Sequence, residues 1–120
     1  MTVMVAVTDS PEGTNALESA VAEARSLTTD LIAVNLTLGS LDLSGAGDGV
    51  NVQVVDRSGR EDRDPVDAVL DEIDTHHPDR LVIGLKRRSR VGKALLGSVS
   101  QRLLLESPVP VLAVKPEPGN

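Results

Sequence analysis

The chain has 120 residues, a formal net charge of −6, no cysteine, and no Phe, Tyr or Trp. That is enough for a single domain with a core of aliphatic side chains. It excludes disulfides, thiolate chemistry, cysteine-ligated metals and base stacking on aromatic platforms. No apolar run is long enough to cross a membrane, the first residues lack a basic-then-apolar leader pattern, and a cytoplasmic protein is expected.

The order of elements reads directly from the apolar spacing. Thr2 to Val7 (TVMVAV) is a continuous, β-branched run, as in a strand buried on both faces of a parallel sheet. Thr8 to Gly13 (TDSPEG) is a turn cluster, with Ser10 as a turn residue. Ala16, Leu17, Ala20, Val21, Ala24 and Leu27 then recur at helical spacing, which predicts an amphipathic helix from about Gly13 to Leu27, ended by Thr28-Thr29-Asp30. Leu31 to Leu36 is the second strand. Thr37 to Gly49 is rich in Gly, Ser and Asp and barely long enough for a parallel crossover. Its helix is expected to be missing or reduced to a turn, with Leu38, Leu41 and Leu43 covering the sheet.

Val50 to Val55 (VNVQVV) alternates, as a strand near a sheet edge does. Arg57 to Asp64 reads as a polar, mobile connection. Asp64-Pro65 is a cap-and-first-turn signal, and Val66, Val69, Leu70 and Ile73 form the stripe of a helix ending near His76-His77-Pro78. Adjacent histidines on a helix point apart and no third ligand is evident, so no metal site is assigned. Leu81 to Ile83 is the fourth strand, Ser98 to Leu105 the last helix, and Val109 to Val114 the fifth strand, followed by a frayed tail from Lys115 to Asn120. Alternating strands and helices predict an α/β fold, with one doubly wound five-stranded parallel sheet, Rossmann-like, carrying helices on both faces. Residues 1–120 form one domain without repeat or linker.

The stretch Leu81 to Val99 (LVIGLKRRSRVGKALLGSV) carries the chemistry. Lys86, Arg87, Arg88, Arg90 and Lys93 crowd into eight residues, so the remainder of the chain nets −11. An acidic body repels nucleic acid, and the basic loop reads as a local anion site. Its plainer reading is a solvated charge run. Gly97-Ser98 opens a helix there, with Ser98 read as N-cap and donor hydroxyl, and a helix start with free N–H groups favours phosphate.

Gly84, Arg87 and Gly97-Ser98 resemble the nucleotide loop of the universal stress protein family, whose pattern is glycine, two residues, glycine, nine residues, glycine, then Ser or Thr. VIG before the loop, and GSVSQRLL and SPVPVLAVK after it, strengthen the resemblance, which covers most of the chain and is strongest from Arg80 to Lys115. It implies a five-stranded fold with the first and fourth strands adjacent, bringing Thr8-Asp9 beside Gly84 and Gly97-Ser98. It also implies binding of ATP or a related phosphate-bearing nucleotide in stress response or signalling, with Mg or a similar cation entering only through the nucleotide.

The implied contacts are Thr8, Asp9, Leu36, Gly84, Lys86, Arg87, Arg88, Gly97, Ser98 and Val99. Two positions depart from the family. Thr8 stands where the family's Asp meets the adenine and offers one hydrogen bond instead of a carboxylate. Arg87 replaces a glycine and either narrows the path of the phosphates or pairs with one. Family members commonly pair their last strand with a dimer mate, and Val109 to Val114 suits a homodimer. The alternative function is a dimeric interaction module without nucleotide. No activated nucleophile or acid–base pair is evident, so no catalytic residue, nucleic-acid partner or membrane partner is assigned.

Overall fold

A computed structural model describes residues 1–41, 43, 49–56, 64–87 and 94–115. The apolar runs form the sheet. β1 (Thr2–Val7), β2 (Asp30–Asn35), β3 (Val52–Asp56), β4 (Arg80–Gly84) and β7 (Val111–Val114) are parallel, in the order β3-β2-β1-β4-β7. The expected five-stranded sheet is therefore present, with β3 and β7 at its edges. Val3, Met4 and Val5 in the central strand are fully buried. Burial of such a side chain stabilises by about 2 kcal/mol relative to exposure.

Handedness decides which face each helix covers. The steps from β1 to β2 and from β2 to β3 run in one direction across the sheet, so right-handed crossovers put both connections on one face. The order reverses at β1 and β4, which moves the later connections to the other face. The packing follows this rule. α1 (Pro11–Leu27) buries Ala16, Leu17, Ala20, Val21 and Ala24 against Val3, Val5, Val7, Leu31 and Ala33. α2 (Pro65–His76) and α3 (Ser98–Glu106) bury Val66, Val69, Ile73 and Leu103 against Met4, Ala6, Ile32, Leu81 and Ile83.

The caps correct the sequence reading in two places. Ser10 is the N-cap of α1, its Oγ accepting from the Gly13 N–H at 3.3 Å, and Pro11 takes the first turn. The helix so begins two residues before Gly13, because a serine cap with proline behind it outweighs the turn character of the cluster. Conversely, Ser98 is not a cap. Gly97 holds that position in α3, without a side-chain bond to the first turn, and Ser98 is the first helical residue. Asp64 caps α2 as expected, accepting from the Val66 N–H at 2.8 Å.

The link from β2 to β3 shows no helix among the described residues. Leu41, Leu43 and Val50 pack against the α1-face cluster in its place. Leu38 does not: it is 85% exposed, contrary to its expected role. The reason is a tight turn held by buried Asn35, whose Nδ2 donates to the Gly39 carbonyl (2.7 Å) and to Asp56 Oδ1 (2.8 Å) and whose Oδ1 accepts from the Thr37 N–H (2.9 Å). With both ends of one buried amide satisfied in this way, the turn is fixed with Leu38 pointing outward. The connection at 57–63 and the tail at 116–120, expected to be mobile and frayed, lie outside the described residues.

Beyond β4, Lys86–Arg87 (β5) pairs antiparallel with Ala94–Leu95 (β6), a ladder that the sequence reading does not contain. No helix among the described residues is long and apolar enough to cross a membrane.

Candidate functional site

The implied contacts gather at the C-terminal ends of the strands, where ligands of such sheets bind. They form two clusters that meet at Gly84, which abuts Glu12 on one side and bonds to Ser100 on the other.

The first group is at the start of α3. Its first intrahelical bond is from the Gln101 N–H to the Gly97 carbonyl at 2.8 Å, so the first-turn N–H groups of Ser98 and Val99 are left to an outside acceptor. The β5–β6 ladder pairs Lys86 with Leu95 and thereby brings Lys86 back onto that turn. A Cβ placed on Gly97 would lie 3.0 Å from Lys86 Cε and 3.7 Å from Nζ. Gly97 therefore leaves open the space beside the ammonium and the helix start. A lysine ammonium, unpaired N–H groups and the positive end of a helix dipole converge there, and each favours an anion. Val99 is half-buried and packs with the α2–α3 core, as does Leu36, which is 6% exposed. Arg87 is in β5 opposite Ala94. Arg88, with Arg90 and Lys93, lies outside the described residues.

The second group surrounds the first turn of α1, which is wedged between β1 and β4. A Cβ on Gly13 would sit 2.0 Å from the Thr8 carbonyl oxygen, and a Cβ on Gly84 would sit 2.2 Å from that of Glu12. Both glycines are required because helix and strand backbones meet there without room for a side chain. Gly84 is thus a packing residue on the α1 side. On the other side its carbonyl accepts from buried Ser100 Oγ at 3.2 Å, which ties α3 to the end of β4. Thr8 Oγ1 and Ser10 Oγ are 2.7 Å apart and hydrogen-bonded. That bond spends one of the pair's two hydroxyl protons. Thr8 and exposed Asp9 line a cavity on the α1 face, across the sheet from Leu36 and Val99.

Sequence reasoning missed Ser100, Ser10 as cap, and the Lys86–Gly97 contact. A helix-facing serine three residues after a glycine cap was a weak signal for the first. The third depends on a strand pairing that charged residues do not announce.

The histidines lie far from this rim. His76 Nε2 is 3.1 Å from Glu72 Oε1, and His77 ends α2 in a left-handed conformation with φ 49°. The following Asp79 bonds to the Thr2 N–H at 2.7 Å, at the opposite ends of the strands. Near α3, Arg102 joins Asp64 (2.7 Å) and Glu106 (3.1 Å). The hydrogen bond from Arg102, then that from the Val66 N–H, holds the Asp64 carboxyl below its ordinary value, and the two carboxylates raise Arg102.

Comparison with known proteins agrees with this architecture. The model of the universal stress protein family matches residues 46–115. A universal stress protein of Mycolicibacterium smegmatis is 39% identical, the match covering 95% of this chain and 97% of that one. Among solved structures, a universal stress protein from Archaeoglobus fulgidus superposes with a TM-score of 0.68 at 24% identity, covering 96% of this chain and 98% of that one. A universal stress protein solved in complex with cAMP superposes at 0.66 and 24% identity, covering 98% of each chain. By sequence and by strand order together, the chain belongs to the universal stress protein family.

Proposed function

We propose that this protein binds a phosphate-bearing adenine nucleotide, ATP or a smaller relative, in stress response or signalling, with the phosphate on the first turn of α3. The observation that carries this reading is the placement of Lys86 against Gly97 at a helix start without a side-chain cap. Ser98 and Val99 supply backbone N–H groups, and Lys86 supplies the charge. Arg87 and Arg88 are assigned to the same anion, from their place in the sequence beside Lys86. The cAMP held by a structural neighbour supports a nucleotide as the class of ligand. A metal ion would enter only with the nucleotide. The site is read as binding without dedicated catalysis, since both histidines lie at the opposite ends of the strands.

The same reading includes a homodimer through Val109–Val114. β7 pairs with β4 on one side only among the described strands, and Leu112 is 40% exposed beside it. An apolar edge of this kind is protected by a partner strand. The alternative of a dimeric module without nucleotide shares this edge.

Equilibrium dialysis against ATP, AMP and cAMP tests the nucleotide reading. The chain has no aromatic residue, so base absorbance in the protein chamber counts bound ligand directly. Saturable retention of at least one nucleotide is expected. Absence of retention at millimolar ligand would leave the dimeric module as the function.

A further inference from the structure

We propose that β7 pairs antiparallel with β7 of a second copy in one fixed register, with the two-fold axis at Leu112 and with Ser107 as the residue that stops the ladder. This rests on the reading of the edge as a homodimer contact and adds its register. The bonds to β4 show which residues of β7 face outward. The Leu81 N–H donates to the Pro110 carbonyl and the Leu85 N–H to the Val114 carbonyl, both at 2.9 Å. Pro110, Leu112 and Val114 therefore turn their backbone groups toward β4, and Val109, Val111 and Ala113 turn theirs to the open edge.

That open edge is short. Val109 is closed by Ser107, whose Oγ accepts from the Val109 N–H at 3.1 Å and donates to the Val109 carbonyl at 2.9 Å. One hydroxyl thus occupies both outward groups of that residue. Pro108 and Pro110, on either side of it, have no N–H to offer. At the far end the Lys115 carbonyl accepts from Asn15 Nδ2 at 2.9 Å, which ties the chain to α1. Val111 and Ala113 are left with N–H and C=O directed outward and without a partner among the described residues.

This two-residue window is its own complement. Val111 opposite Ala113 of an antiparallel copy pairs every one of these groups, and the axis then passes through Leu112. Leu112 is an exposed large apolar side chain, and across the axis the two copies of it cover each other. The neighbouring registers are poorer. An axis at Val111 sets Ala113 against closed Val109. An axis at Ala113 sets Val111 against Lys115, whose carbonyl is taken.

The full chain has no cysteine, so single cysteines report the register. Leu112→Cys, Val111→Cys and Ala113→Cys are oxidised with oxidised glutathione, beside sedimentation of the parent. In this register the two Leu112 Cα atoms lie about 4.5 Å apart, within disulfide reach. Like residues at 111 or at 113 lie more than about 7 Å apart, beyond it. A dimeric parent is expected, with Leu112→Cys forming the covalent dimer at least about tenfold faster than either neighbour. Ser107→Ala releases Val109, so in that background Val111→Cys should cross-link about fivefold faster than without it. A monomeric parent would overturn the dimer reading and the register together. A dimeric parent in which Val111→Cys or Ala113→Cys cross-links fastest, or in which none of the three does, would overturn the register alone. An unchanged rate for Val111→Cys in the Ser107→Ala background would overturn Ser107 as the stop.

Discussion

The two faces of the sheet end in opposite chemistries on the same rim. On the α2–α3 face, a lysine and a bare helix start converge on a glycine. On the α1 face, Asp9 and Glu18 stand over an apolar cavity. The separation comes from one wedge of backbone, the Glu12-Gly13 turn pressed between Thr8 and Gly84. A net charge of −6 says little about either region. What matters is which side of a strand end each charge reaches.

Removing the wedge should have the largest effect. Gly84→Ala places a Cβ 2.2 Å from the Glu12 carbonyl oxygen, and a backbone atom cannot move aside as a side-chain tip can. A loss of at least about 2 kcal/mol in denaturant unfolding is expected, with both faces perturbed together. Unchanged stability would mean that α1 is not held against β4 in this way.

Lys86→Ala should act on one face only. Nucleotide affinity falls about tenfold and its salt dependence flattens, while the melting temperature stays close to that of the parent. Unchanged nucleotide affinity would show that Lys86 does not face the ligand.

The smallest expected effect concerns Arg102, which links the cap of α2 to α3. Asp64 is held below its ordinary value, so its contribution to stability is present above the unfolded carboxylate pKa and lost as pH falls through the folded value. Arg102→Met should lower the melting temperature slightly at neutral pH and leave it unchanged in strong acid. An equal drop at both pH values would assign the effect to packing of the side chain.

Much of this comparison was legible in the sequence, for identifiable reasons. TVMVAV read as a strand buried on both faces because Val3 to Val7 carry no polar side chain. Asp64-Pro65 marked a helix start through the geometry of the cap itself. The adjacency of the first and fourth strands followed from the resemblance, and the link from β2 to β3 shows no helix among the described residues. Leu41 and Leu43 pack there and Leu38 does not, because Asn35 turns the chain, and a hydrogen-bonded turn has no apolar period to read. The β5–β6 ladder was hidden because each strand is two residues long, too short to show an alternating pattern. Gly84 is held by packing against Glu12, a demand the sequence does not show, since a glycine required for packing and one required for phosphate leave the same letter.

The most direct test of the central claim, an anion site at the start of α3, is Gly97→Val measured by equilibrium dialysis with ATP, AMP and cAMP, beside its melting curve. Gly97 has φ −71° and ψ 169°, a backbone that valine adopts readily, and the nearest atom to a new Cβ is the flexible end of Lys86. The account predicts a folded protein with a melting temperature close to that of the parent and nucleotide retention reduced more than about tenfold. A folded variant that retains nucleotide as the parent does would contradict it and move the ligand away from this helix start.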